Sequence, residues 1–207
     1  MSRRVIYVVR HGETEENREH IIQGQLDTKL NGLGIEQAKK TANALKAVEF
    51  DVVYASSLER AVHTAEEIVA GRRGLEVTRQ DALRERHMGE KQGKRYDPSV
   101  SLDKTAEAVD AFQTRILNWW DEMTASSTAE TVLVVGHGAW IGRLLGLLVH
   151  KRGYGVTDGL QDGELWFVKN CSIQLIEVDD EQRGWVRRWG DVDHLESSLA
   201  ENVDSLA

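Results

Sequence analysis

The sequence predicts an α/β fold built on a mostly parallel sheet, and three observations carry that expectation. Short runs rich in apolar and β-branched residues recur at 5–9, 50–56 and 131–135, continuous enough to be strands covered on both faces. Between them lie segments whose apolar residues recur at helical spacing, and strands alternating with helices pair in parallel through crossover connections. Each run also ends in a polar cluster: Arg10-His11-Gly12, Ser56-Ser57 ahead of Arg60, and Gly136-His137-Gly138. The three ends therefore meet along one edge of the sheet, where open α/β sheets bind ligands.

In chain order, the first strand runs into Arg10-His11-Gly12-Glu13-Thr14, with Asn17 shortly after. Arg10 offers a fixed fork of donors for a phosphate or carboxylate, His11 is a nitrogen base near neutral pH, and Gly12 lets backbone approach a ligand. Residues 18–26 read as a polar loop holding Ile21-Ile22-Gln23-Gly24. Asn31 caps a helix to about residue 48, with Ile35, Ala38, Ala42 and Leu45 on one face. After the strand at 50–56, a serine caps a helix that carries Arg60 in its first turn. A cation there opposes the helix dipole unless an anion sits nearby. Residues 75–80 alternate as a short strand and lead to Leu83-Arg84-Glu85. Pro98, the single proline, marks a loop over 94–100. The spacing of Val109, Phe112, Ile116, Trp119 and Met123 predicts an amphipathic helix over 102–123 whose aromatic stripe is core. The strand at 131–135 ends in Gly136-His137-Gly138 and a helix over 139–149 starts at once, which turns backbone N–H groups and the positive dipole end toward the strand end. Further strands are expected at 164–168, 172–178 and 185–189. From Asp191 the chain carries Asp191, Asp193, Glu196, Glu201 and Asp204 with no Lys or Arg, and reads as an acidic tail leaving the core of a single domain spanning 1–207.

These motifs, in this order, resemble the histidine phosphatase superfamily, the phosphoglycerate-mutase-like enzymes. The resemblance rests on Arg10-His11-Gly12-Glu13-Thr14 with Asn17, on Gly24 to Leu30 followed by Gly34 and Gln37-Ala38, and on Ser56 to Ala65 around Arg60. Leu83-Arg84-Glu85 with the following Gly89, and His137-Gly138, complete it. Each motif is modest alone, and their order makes them specific. The resemblance implies a three-layer α/β/α sandwich with a mostly parallel central sheet. It also implies that His11 accepts a phosphoryl group, that Arg10, Arg60 and His137 bind its oxygens, and that Glu85 is the proton donor. Asn17, the Gln23-Gly24 loop and the Gly138 amide are further expected donors to phosphate. The chain departs from the family's usual pattern at Lys29 (Pro), Ser57 (Asp), His63 (Gln), Met88 (a bulky aromatic), Gln92 (Glu) and Gly136 (Ser).

The expected activity is hydrolysis of small phosphate monoesters through a phosphohistidine, with neutral His11 as nucleophile. A protonated Glu85 of raised pKa gives an acidic to neutral optimum. No metal and no cofactor are expected, because the adjacent arginines repel a cation and no His-x-x-x-His or Cys-x-x-Cys pair exists. A net charge of −8 argues against a nucleic-acid partner, while a local arginine cluster still attracts an anionic substrate. The longest apolar run, near 141–149, is too short for a membrane span and includes Arg143. One cysteine, Cys171, excludes an internal disulfide, and a cytoplasmic location is the default. A cysteine phosphatase is ruled out because the residue six after Cys171 is Glu177, not arginine. Asp191-Val192-Asp193 follows no strongly apolar strand and is discounted as an aspartyl nucleophile. The alternatives are a phosphoglycerate mutase, a fructose-2,6-bisphosphatase-like sugar bisphosphatase in which Lys94 and Arg95 hold a second anion, a metal hydrolase using His11, His137 and Glu85, and an interaction module with weak catalysis. A mutase carries a long insertion between the proton donor and the second histidine, and residues 93–130 hold little more than one helix and a loop.

Overall fold

The computed structural model describes residues 3–99, 101, 103–157 and 168–195. Strand β1 (Arg3–Arg10) is followed by a single turn of helix α1 (Glu15–Arg18), α2 (Gly32–Ala44), β2 (Val52–Ser56), α3 (Glu59–Val69) and β3 (Val77–Gln80). Next come α4 (Val109–Ser126), β4 (Thr131–Gly136), α5 (Gly138–Arg152), β5 (Gly155–Val156), β6 (Ile173–Asp179) and β7 (Gly184–Asp191). The strands form one sheet in the order β3-β2-β4-β1-β6-β7-β5. The pairs β1–β4, β2–β4, β2–β3 and β5–β7 are parallel, whereas β6 runs antiparallel to both β1 and β7. The sheet is thus mostly parallel, as expected, with β1, β4 and β2 as parallel neighbours.

The alternation of side chains along the strands builds the three layers. Ile6 and Val8 of β1 and Val132 and Val134 of β4 point to one face, where they pack with Phe112, Ile116 and Trp120 of α4 and Ile141, Leu144 and Leu148 of α5. Val9, Val53, Ala55, Leu133 and Val135 point to the other, against Ala61, Ala65 and Ile68 of α3 and Leu45 at the end of α2. Among the described residues, no helix is long and apolar enough to cross a membrane.

Several expected boundaries and faces shift. Helix α2 ends at Ala44, and its buried face is Gly34, Gln37, Ala38 and Thr41, with Ile35 and Ala42 only partly covered. The reason is polar: the Gln37 side chain accepts the Glu13 N–H at 2.9 Å, and Thr41 Oγ1 donates to the Gln37 carbonyl at 2.9 Å. Helix α4 begins at Val109, not 102, and Val109 itself is 40% exposed. The preceding segment is held as a loop, because the Asp103 carboxylate accepts the Glu90 and Thr105 amides and Glu107 exchanges hydrogen bonds with His87. The expected departure of the chain at Asp191 is also corrected. A short 3₁₀ turn, Asp193–Leu195, brings Leu195 back against Ala38 and Cys171, fully buried, and His194 Nε2 lies 3.0 Å from Thr41 Oγ1. The strand expected at 164–168, apart from Val168, and the acidic tail beyond 195 lie outside the described residues.

Candidate active site

Strand register sets the site. Arg10 of β1 is level with Gly136 of β4, and Ala55 of β2 with Val135. The next residues of the three strands, His11, His137 and Ser56, therefore emerge together. The turn after β1 is anchored by His11 N–H to the Gly136 carbonyl (3.0 Å) and by Gly12 N–H to Thr64 Oγ1 (3.0 Å). A Cβ on Gly12 would sit 2.4 Å from the Gly34 carbonyl oxygen, and one on Gly34 would sit 2.0 Å from that of Glu13. The turn and the start of α2 thus touch backbone to backbone, which only glycines allow.

His11 is 2% exposed, and its ring has two defined partners. Nδ1 lies 2.7 Å from the Gly12 carbonyl, an obligate acceptor, so Nδ1 carries the proton. Nε2 is left with its lone pair and receives Arg60 Nε–H at 3.3 Å. Burial first, then the Arg60 and Arg10 cations, pull this imidazole well below its ordinary pKa against the opposing bond to Gly12. It is a neutral base with a lone pair on Nε2.

Arg60 sits in the first turn of α3, and the structure explains how a cation is tolerated there. Its Nη2 and Nη1 donate to the carbonyls of Gly24 (2.8 Å) and Leu26 (2.7 Å). The helix start is capped from the same loop, where Asp27 accepts the Glu59 N–H at 2.6 Å. The expected serine cap is therefore corrected: Leu58 is the capping residue without a side-chain bond, and Ser56 Oγ instead accepts the Leu58 N–H at 3.3 Å.

Arg10 is fully buried and donates from Nη1 to the Val168 carbonyl at 2.6 Å. Its guanidinium lies against the start of α5, where a Cβ on Gly138 would meet it at 3.4 Å. His137, the capping residue of α5, is likewise fully buried, with its ring centroid 5.2 Å from that of His11. Its Nε2 is 2.7 Å from Ser56 Oγ and its Nδ1 has no partner among the described residues. Burial, then Arg60, His11, Arg10 and Arg115, hold it well below the usual histidine pKa. Glu85, 8% exposed, accepts the Ala139 amide at the start of α5 (2.9 Å) and its neighbour's amide, Arg86 N–H (2.8 Å). The Ala139 amide at the start of α5 is thus engaged by the Glu85 carboxyl group.

A cleft opens over these groups, lined by His11, Gln23, Gly24, Arg60 and Glu85 together with His20, Ile22, Arg86, Met88, Tyr96 and Ala139. Arg10, His137 and Gly138 stand behind that lining. Asn17 does too: its Oδ1 closes a capping box with Thr14 and accepts Asn170 Nδ2 at 3.3 Å. Lys94 and Arg95 are exposed and are not among the residues that line the cleft. Among the described residues, no three His, Cys, Asp or Glu side chains are grouped to hold a metal.

Sequence reasoning assigned no role to several supporting residues. Asn170 Nδ2 donates to the His11 carbonyl at 2.9 Å, and the Cys171 amide to the Arg10 carbonyl at 3.0 Å, so the segment before β6 pins the strand end that presents His11. Cys171 does this at φ 55°, in the left-handed region, with burial pushing its thiol up to about 12. Asn170-Cys171-Ser172 carries no periodicity or charge pattern that marks such a role, and the distance from His11 along the chain hides it.

Compared with known proteins, residues 6–192 match the model of the histidine phosphatase superfamily (branch 1). The chain is 28% identical over 200 residues to the probable phosphatase C1687.21 of Schizosaccharomyces pombe, covering 93% of this chain and 95% of that protein. It is 30% identical over 210 residues to the metal-independent phosphoserine phosphatase of Arabidopsis thaliana, covering 93% and 83%. Among solved structures, Bacillus stearothermophilus YhfR aligns with a TM-score of 0.78 at 29% identity over 92% of this chain and 98% of that one.

Proposed function

The chain belongs to the histidine phosphatase superfamily, and we propose that within it this protein is a phosphatase of small phosphorylated molecules that needs no metal and works through a phosphohistidine on His11. The observation that carries this reading is a neutral imidazole whose Nε2 lone pair faces a guanidinium in the floor of a cleft, with a carboxyl group on the cleft wall. His11 Nε2 attacks phosphorus in line with the departing oxygen. Arg10, Arg60 and His137 spread the charge on the transferring phosphoryl group. Glu85, protonated, gives its proton to the leaving alkoxide and then takes one from the water that attacks the phosphohistidine, which restores both residues. The arginines make the centre hospitable to a dianion and hostile to a metal cation. That the relatives from fission yeast and Arabidopsis are named phosphatases supports hydrolysis as the outcome.

The test is turnover of p-nitrophenyl phosphate by wild type and His11→Ala, with EDTA and with vanadate. The reading expects EDTA to leave the rate intact, vanadate to inhibit, and the variant to lose roughly 10³-fold or more in kcat. A variant that keeps most of the rate, or an enzyme silenced by EDTA, overturns it.

A further inference from the structure

Beyond the phosphate-binding role proposed for His137, we propose that Ser56 is a positioning residue that fixes which ring nitrogen of His137 carries the proton, so that His137 presents an N–H to the phosphoryl group. The inference rests on the phosphatase reading for what occupies the site, and on hydrogen-bond accounting for everything else.

Ser56 is fully buried. Its Oγ accepts the Leu58 N–H at 3.3 Å and lies 2.7 Å from His137 Nε2. Among the described residues the hydroxyl hydrogen has no other acceptor, so it satisfies itself only by donating to Nε2. A neutral imidazole whose Nε2 accepts carries its proton on Nδ1. Nδ1 is the atom of this ring that lacks a partner, fully buried, in the field of Arg10 and Arg60. The alternative tautomer is worse on two counts. Nε2–H donating to Oγ strands the serine hydrogen in the interior, and the bare Nδ1 lone pair is then left in a site built for an anion. With the proton on Nδ1, one buried donor remains unmatched, and a phosphoryl oxygen matches it.

The two histidines thereby hold the same tautomer to opposite ends. At His11 the Gly12 carbonyl accepts the hydrogen bond from Nδ1–H, and the Nε2 side of the ring is the one turned to the substrate. At His137 the Ser56 hydroxyl occupies the Nε2 lone pair and the Nδ1 proton is presented. Each ring's tautomer follows from the neighbour that fixes it: a carbonyl at Nδ1 of His11, a hydroxyl at Nε2 of His137.

Long-range ¹H–¹⁵N correlation spectra of histidine-labelled protein, with His137 assigned by His137→Gln, read the tautomer without any need for turnover. The proposal expects the Nδ1–H pattern at His137 in wild type, and a shift of that nitrogen on adding inorganic phosphate. In Ser56→Ala the pattern moves toward Nε2–H and kcat/KM on p-nitrophenyl phosphate falls about 10- to 100-fold; Ser56→Thr, which keeps the hydroxyl, restores the spectrum and most of the rate. An Nε2–H pattern in wild type overturns the proposal, as does a folded Ser56→Ala protein with wild-type spectrum and rate. Should wild type show the Nδ1–H pattern and the phosphate response yet hydrolyse no ester, the assignment of Ser56 stands and the phosphatase reading fails.

Discussion

At His11 and His137 two imidazoles are kept neutral by burial and by the same pair of arginines. The unfolded chain carries these groups at about pKa 6.5, so below that pH it binds protons that the folded protein refuses. Stability contributed by the neutral rings is therefore complete above about pH 6.5 and is lost as the pH falls toward the depressed folded values. Denaturation followed between pH 7 and 5 is expected to show stability falling by up to about 1.4 kcal/mol per pH unit for each ring. A variant with both histidines replaced by Gln is expected to flatten that slope, and an unchanged slope contradicts the assignment. Glu85 gives a second prediction at this scale. A proton donor matters most when the leaving group is poor, so Glu85→Gln is expected to cost roughly 10²- to 10⁴-fold on an alkyl phosphate and clearly less on p-nitrophenyl phosphate. Equal losses on the two esters contradict its role. The residues proposed to handle the phosphate were legible from sequence because Arg10, His11, Arg60, Glu85 and His137 each sit in a recognisable local motif. Ser56 entered only as part of the motif around Arg60, and Asn170 was given no role, because their contacts are made by partners far away along the chain.

The elements matter here through how they are tied at their ends. The loop 23–28 holds α3 twice, through the carbonyls that receive Arg60 and through Asp27 on the Glu59 amide. Asp27→Ala is expected to lower stability by about 1 kcal/mol as a lost cap, and to raise KM for phosphate esters because the loop and Arg60 loosen together. A lower stability with unchanged KM would show that the cap serves the helix alone. The contact between the β1–α1 turn and α2 is tighter still. Gly34→Ala drives a methyl into the Glu13 backbone, and chemical denaturation is expected to register a loss of about 3 kcal/mol. The helices were legible in existence and order, because apolar spacing survives in any context. Their ends and faces were not, since Gln37 on α2 and Asp103 ahead of α4 use polar side chains to bind backbone from other segments, and periodicity cannot register that.

Taken as a whole, the molecule brings distant segments to one edge by placing β4, late in the chain, between β1 and β2. The alternation of strands and helices predicted parallel neighbours, but it could not supply the order, nor the antiparallel return of β6 that delivers Asn170 beneath His11. At the far edge, Arg4 of β1 donates to the carbonyls of Ala129 (2.9 Å), Thr124 (2.6 Å) and Ser127, and so ties the end of α4 to the central strand. Arg4→Ala is expected to cost about 2 to 3 kcal/mol in denaturation while leaving kcat near wild type, because it lies at the opposite end of β1 from His11. The central claim, that His11 carries the phosphoryl group between ester and water, has a direct test. Enzyme mixed with p-nitrophenyl phosphate, quenched in base and weighed intact, is expected to contain a phosphorylated fraction whose adduct maps to His11 and vanishes in His11→Ala. Turnover with no trapped adduct, or an adduct that persists in the variant, contradicts the account.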